Sequence, residues 1–304
     1  MPKEKRNRII VIGDIVLDKY VYVRPKIQSA ERGHQNYPIP QYDIVHIDKK
    51  LGGAYNVAFL LQNRLLNTDV EFYTILQDDF KDLVHENIFR FENFNRSPHG
   101  KLSIKQRHVH FETLYTNGRF DYYRSMPKCT EQEVYEWVKT INFADADVVV
   151  LSDYIKGLFS AKTIQHIVAH SKVVIVDTKN PELDTYIGAD FIKLNEHEFK
   201  NVQDYYGAKD YLEHIAPFKM IITMGEKKTM LIETDLEDGS VFDQRVDIRK
   251  MDPEYIVDTV GCGDAFMAGV AWSLAENGYD KPIQAINAGH EMSHISLSKM
   301  GATW

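Results

Sequence analysis

Along the chain, short apolar runs alternate with stretches in which apolar residues recur every three or four positions, and this predicts strands joined by helices. Ile9, Ile10, Val11 and Ile12 form the first run, which ends at Gly13-Asp14 and reads as a buried strand with a polar carboxyl edge. Further strands are predicted over residues 70–76, 148–151, 173–177, 191–194 and 220–224. Helices are predicted near residues 80–90, 131–141, 161–170, 196–206 and 209–216. Gly52-Gly53 leads into another helical run that sets Val57, Leu60, Leu61 and Leu65 on one face. The alternation predicts an α/β fold, a doubly wound and mostly parallel sheet flanked by helices.

Two segments depart from that pattern. Residues 20–47 mix β-branched and aromatic residues with Pro25, Pro38 and Pro40, which predicts exposed strands and loops, a small β element around residues 20–50. Residues 104–112 and 120–124 are extended and polar, so an edge hairpin is expected around residues 101–125. With no repeat or flexible linker, one domain over residues 1–304 is expected.

A formal net charge of −8 argues against the broad electropositive surface that nucleic acid selects, though not against a small anionic substrate. Cys129 and Cys262 form no CxxC pair, and a reducing cytoplasm is the expected location. No apolar run reaches transmembrane length, so no membrane partner is expected. Among the histidines, His108 and His110 alternate on a predicted strand and His290 and His294 are one helical turn apart; both pairs read as surface or structural.

In open parallel sheets, ligands bind beyond the carboxyl ends of the strands. Polar residues follow five predicted strands here: Asp14, Ser152-Asp153, Asp177-Thr178-Lys179, Asn195 and Thr223. The segment Asp258-Thr259-Val260-Gly261-Cys262-Gly263-Asp264 carries the most chemistry. Its glycines open a helix marked by Phe266, Val270 and Leu274, so free amides and the positive helix end can face an anion. Asp264 in the first turn is a candidate general base, or a plain helix-start acid. The same helix start would lower a thiol pKa, which adds a redox reading for Cys262.

DTVGCGDAF resembles the DTxGAGD signature of ribokinase-like (PfkB-type) carbohydrate kinases. The resemblance implies Asp264 as catalytic base and Gly261, Cys262 and Gly263 as anion hole, with Cys262 replacing the usual Ala. Leu51-Gly52-Gly53-Ala54-Tyr55-Asn56-Val57-Ala58 is similar to the family's GGxxxN(V/A)A motif, which implies Gly52, Gly53 and Asn56 at the sugar, with Asp14 and Asp18 beside them. Asn195-Glu196-His197-Glu198 resembles NxxE, implying Asn195 near the phosphates and Glu198 on the water shell of Mg²⁺. Thr223-Met224-Gly225 resembles the start of the nucleotide motif TxGxxG, with Lys228 where the second glycine is expected. Lys179 and Lys228 are candidates for phosphate contact, and Asp258 and Thr259 belong to the nucleotide side.

Within the family, GDIVLDKYVY (13–22), LSDYIKG (151–157), VDTKNPELDTYIGADFIKLNEHEF (176–199) and Lys299-Met300-Gly301 look like the kinase half of bifunctional heptose kinase/adenylyltransferases. That likeness implies ATP and Mg²⁺, with D-glycero-β-D-manno-heptose 7-phosphate phosphorylated at O1. The nucleotidyltransferase half is not in this sequence, and residues 26–31 lack the usual RISPEAP-type lid segment. Arg107 and Arg124 are candidates for gripping a sugar phosphate, or surface charge on the hairpin. A lid-mediated homodimer and a monovalent cation such as K⁺ near Asp258 are further expectations. The competing readings are a kinase for another sugar, sugar acid or nucleoside, and a non-catalytic binding relative.

Overall fold

The structure is a computed structural model. It describes residues 6–26, 31–33, 39–65, 67–76, 78–84, 96–207, 210–235 and 240–301. The strands are β1 (Asn7–Gly13), β2 (Ile15–Pro25), β3 (Tyr42–Gly53), β4 (Thr68–Tyr73), β5 (Lys101–His110) and β6 (Thr116–Ser125), then β7 (Val148–Asp153), β8 (Val174–Thr178), β9 (Phe191–Asn195), β10 (Lys219–Thr223), β11 (Thr229–Thr234) and β12 (Val241–Val246). The helices are α1 (Ala54–Arg64), α2 (Glu131–Val138), α3 (Ala161–His170), α4 (Glu196–Tyr206), α5 (Tyr211–Ile215), α6 (Cys262–Asn277) and α7 (Pro282–Leu297).

Eight strands form the large sheet in the order β12-β11-β10-β9-β8-β7-β1-β4. The pairings from β10 to β4 are parallel, whereas β11 and β12 join antiparallel at one edge. Ile9 to Ile12 are each 0% exposed, because helices cover both faces of β1. Strand periodicity splits this run. Ile9 and Val11 pack into a cluster with Val57 and Leu60 of α1 and Met267 and Val270 of α6. Ile10 and Ile12 face the opposite cluster, with Val134 of α2 and Ile164 and Ile167 of α3.

A second sheet, ordered β3-β2-β5-β6, stands beside the carboxyl end of β1. The predicted hairpin is present, but it does not edge the large sheet. β5 pairs parallel with β2 over Leu17 to Val23, so hairpin and lid strands are one sheet. Tyr20, Val21 and Val23 explain this, since all are buried and bind the segment predicted as exposed to its neighbours. The helix expected near residues 80–90 is a 3-10 turn over Asp78–Leu83, and residues 85–90 lie outside the described residues. The lid residues 27–30 also lie outside them, as do Lys209 and Trp304.

Candidate active site

β1 ends at Gly13, and the chain turns through Asp14 into β2, which carries Asp18. β3 returns antiparallel with Gly52 opposite Val16 and Gly53 opposite Ile15. At Gly53 the φ is +69°, and a Cβ there would lie 2.7 Å from the Asp14 carbonyl oxygen. Only glycine lets this corner close, and the corner launches α1 so that Asn56 is aimed inward. Asn56 is 0% exposed; its Nδ2 donates to Asp264 Oδ2 at 3.0 Å, and its Oδ1 is buried with no partner. A buried acceptor without a donor is a place for a ligand hydroxyl.

Gly261 caps α6 at φ 85°, the left-handed turn that brings Gly263 and Asp264 into the first helical turn. Amides there have no intrahelical acceptor. Asp264 is buried, and its Oδ1 accepts from the Tyr154 hydroxyl at 2.7 Å. Burial pushes its carboxyl up to about 6, opposed by the hydrogen bonds from Asn56 and Tyr154. A group poised near neutrality, bonded on both oxygens, suits a general base. The redox expectation for Cys262 is not met: burial pushes its thiol up to about 11, which outweighs the helix N-terminus.

Charged groups from three strands, β5, β8 and β9, surround this carboxylate. Lys193 of β9 is buried, and its Nζ bonds Asp177 Oδ1 of β8 at 3.0 Å. Burial works to lower its pKa, but the carboxylates of Asp177, Glu198 and Asp264 prevail and raise it. A Cβ on Gly263 would sit 3.4 Å from Lys193 Nζ, so this ammonium adjoins the glycine turn. Sequence reasoning missed Lys193; its signal was a lone cation inside the apolar strand FIKLN. Lys105 of β5 is lowered by burial and then by the neighbouring Lys179. Lys179 and Lys105 lie 4.4 and 5.5 Å from the Tyr154 ring centroid.

Asn195 caps α4 and forms a reciprocal capping box with Glu198, whose Oε2 accepts from the Asn195 amide at 2.8 Å. Burial raises the Glu198 pKa. Asp14 Oδ2 accepts from the amides of Tyr154 and Lys156 at 3.0 and 2.9 Å. Burial, then the Asp153 carboxylate, pushes Asp14 upward. Asp258 bonds the amides of Val260 and Gly301 and ties the glycine turn to the segment after α7.

Asp18 and Arg107 form a buried ion pair across β2 and β5, so this arginine is not surface charge. Arg124 is a correction. In register, Arg124 opposes Leu102 while Arg119 opposes Arg107 and Asp121 opposes Lys105. Alternation therefore turns Arg124 to the face away from Asp264 and sets Arg119, not singled out from sequence, beside Arg107. Lys228 contributes the carbonyl that closes the turn with Met224, at 3.1 Å.

On the other side of the glycine turn a cavity of about 540 Å³ opens, lined by Thr223, Gly225, Thr259, Cys262, Gly263 and Phe266 among others. His290 and His294 also line it. The size suits a nucleotide. Among the described residues no group of three His, Cys, Asp or Glu side chains converges as a metal cage. Magnesium keeps most of its waters beside phosphates, and the neighbouring carboxylates of Asp177 and Glu198 fit an outer-shell role.

A profile of the pfkB family carbohydrate kinases matches residues 8–304. The chain belongs to that family. It is therefore a phosphotransferase with a hydroxyl acceptor. Among curated proteins, the bifunctional protein HldE of Hydrogenovibrio crunogenus is 26% identical over 98% of this chain and 61% of its own. That of Coxiella burnetii is 29% identical over 90% of this chain and 57% of its own. The chain thus spans about three fifths of these relatives' length. Among solved structures, Thermotoga maritima ribokinase superposes with TM-score 0.65 at 18% identity, covering 98% of this chain and 95% of that one. Escherichia coli phosphofructokinase-2 in complex with potassium gives 0.68 at 14%, covering 98% and 94%. These superpositions establish the ribokinase-like fold, and within it this family member sets Asp264 beside Asn56 of α1, Tyr154 after β7, Asp177 of β8 and Lys193 of β9. No helix among the described residues is long and apolar enough to cross a membrane.

Proposed function

We propose that this chain transfers the γ-phosphoryl group of ATP to a hydroxyl of a sugar phosphate, with D-glycero-β-D-manno-heptose 7-phosphate, phosphorylated at O1, as acceptor. The observation that carries the reading is the buried Asp264 carboxylate, bonded by Asn56 and Tyr154 and adjoining the free amides of a helix start. The acceptor's own phosphate is supported by the cations gathered near Asp264 in a chain of net charge −8. Lys105, Arg107 and Arg119 share one lid face, and Lys179 and Lys156 approach it across Tyr154 and Tyr123. The HldE relatives support the heptose assignment.

The acceptor hydroxyl gives its proton to Asp264 as its oxygen forms the new bond to the γ-phosphorus. The bond from that phosphorus to the bridging oxygen breaks, and ADP leaves with the electron pair. The amides of Gly261, Cys262 and Gly263 and the Lys193 ammonium oppose the charge spread over the transferring group. Gly52, Gly53, Asn56, Asp14 and Asp18 hold the sugar, and Arg107 with Arg119 answers its phosphate. Thr223, Gly225, Thr259, Asn195 and Lys179 serve ATP in and beside the large cavity. Glu198 would order the waters of a magnesium ion bound with ATP, which would neutralise phosphate charge there. A monovalent cation such as K⁺ is assigned to the neighbourhood of Asp258, whose carboxylate already orders the turn.

The face of the small sheet turned from Asp264 exposes Ile44, Ile47, Phe120 and Tyr122, and we assign it to a homodimer contact. Both cysteines are free thiols, in keeping with a cytoplasmic enzyme. The test of function is an acceptor panel in a coupled ADP-release assay, comparing heptose 7-phosphate with unphosphorylated sugars, sugar acids and nucleosides. Preference for heptose 7-phosphate supports the reading; preference for a nucleoside or an uncharged sugar overturns the substrate.

A further inference from the structure

The Tyr154 hydroxyl makes the shorter of the two side-chain bonds to Asp264. The turn that carries it is unusual. Ile155, a β-branched residue, sits at φ 55°, a conformation that such side chains avoid. Three side chains hold that turn: Asp14 bonds the amides of Tyr154 and Lys156, Asp153 Oδ1 bonds the Ile155 amide, and His99 Nε2 lies 2.7 Å from the Ile155 carbonyl oxygen. Backbone strain persists where surrounding bonds over-determine it, and such sites cluster at functional centres. What this strained turn delivers is a phenol, aimed at one oxygen of one carboxylate.

The ring is held as firmly as the hydroxyl. Lys179, just beyond β8, and Lys105, on β5 of the lid sheet, both lie within cation–π range of it. The phenol is thus fixed between the large sheet and the lid. Its own ionisation is opposed by burial and then by the Asp264 charge, so it stays a donor at neutral pH.

We propose that Tyr154 is the positioning residue of the base, its hydroxyl fixing the rotation of the Asp264 carboxylate so that a lone pair unused by Tyr154 and Asn56 meets the acceptor hydroxyl. This rests on the reading of Asp264 as base. Without the hydroxyl, the carboxylate keeps a bond on only one oxygen and can rotate about its Cβ–Cγ bond. The other charged and titratable groups acting on Asp264 come from separate elements: Asp177 of β8, Lys193 of β9, Lys105 of β5 and Cys262 of α6. None of them is bonded to Oδ1, so none replaces Tyr154.

The test is Tyr154→Phe in the full chain, which keeps the ring and its two ammonium neighbours. Two readouts are taken. The first is a carboxyl ¹³C NMR titration, with the Asp264 resonance assigned from its loss in Asp264→Asn. The midpoint is expected to rise in Tyr154→Phe, because a bond to the charged form is lost. Tyr186→Phe, which removes a hydroxyl donated to Asp153 instead, serves as control and leaves the Asp264 midpoint in place. The second readout is kcat against pH, expected to fall about 10- to 100-fold with the acid limb moved up and both KM values little changed. 3-Fluorotyrosine at position 154 alone, a stronger donor, tests the same bond in the opposite direction and lowers the midpoint.

An Asp264 midpoint that is the same in wild type, Tyr154→Phe and the fluorinated chain overturns the proposal. The titration needs no turnover. If no acceptor is phosphorylated by the wild type, the kinase reading fails while the midpoints still decide whether Tyr154 controls this carboxylate.

Discussion

Asp264→Asn is expected to abolish phosphoryl transfer and, at neutral pH, to stabilise the fold. Burial raises the Asp264 carboxyl from 3.8 to about 6. The folded chain therefore binds a proton that the unfolded chain releases between those values, and stability falls as pH rises through that window. Above pH ~6 the full cost of holding the ionised group is about 3 kcal/mol, and below pH ~4 it vanishes. The substituted amide carries no such cost. Its oxygen can accept from Tyr154, and a flip of Asn56 turns the unpartnered Oδ1 toward the new amide donor. Imperfect bonds offset part of the gain, leaving about 1–3 kcal/mol at pH 7.5, or a rise of about 2–6 °C in Tm. At pH 5 about half of the electrostatic gain remains. Thermal melts of both proteins at pH 7.5 and 5.0 measure this directly. A variant less stable than wild type at pH 7.5, by an amount that does not change at pH 5.0, would mean that burying the Asp264 charge carries no such cost.

Lys193→Met leaves Asp177 buried without its 3.0 Å partner, and a loss of about 3–5 kcal/mol is expected in urea unfolding. Adding Asp177→Asn should restore most of that stability but not turnover, and a single variant as stable as wild type would remove Lys193 from the anion site. Arg119→Ala should raise KM for a phosphorylated acceptor about tenfold or more with little change for ATP, whereas Arg124→Ala should change neither. Equal effects of the two would contradict the face assignment taken from the register of β5 and β6.

Much of this architecture was legible because its signals are local. The run Ile9 to Ile12 is fully buried, and such a run has few alternatives to a central strand. The glycine turn at Gly261 and the corner at Gly53 need left-handed backbone, which makes them visible as glycines. The motif residues Asp14, Asn56 and Asp264 do converge, and Asp264 and Asn56 are in hydrogen-bond contact.

What could not be read depends on partners distant in sequence. Arg119 and Arg124 look alike in a polar segment, and only the pairing with β5 turns one inward and the other out. Lys193 interrupts an apolar run, but its significance lies in Asp177, sixteen positions earlier on a neighbouring strand. Tyr20 and Val21 read as exposed because the residues covering them come from elsewhere in the chain. Cys262 went the other way: the local rule predicted a lowered thiol pKa, and tertiary burial reversed the sign.

As the proposed base in phosphoryl transfer to a phosphorylated sugar, Asp264 should be needed for turnover and not for binding. The most direct test is ADP release by wild type and Asp264→Asn with heptose 7-phosphate, alongside calorimetric binding of both substrates. Turnover by the wild type, a loss of several orders of magnitude in the variant, and binding of ATP and acceptor by both are expected. Near-wild-type turnover by Asp264→Asn would contradict the base assignment.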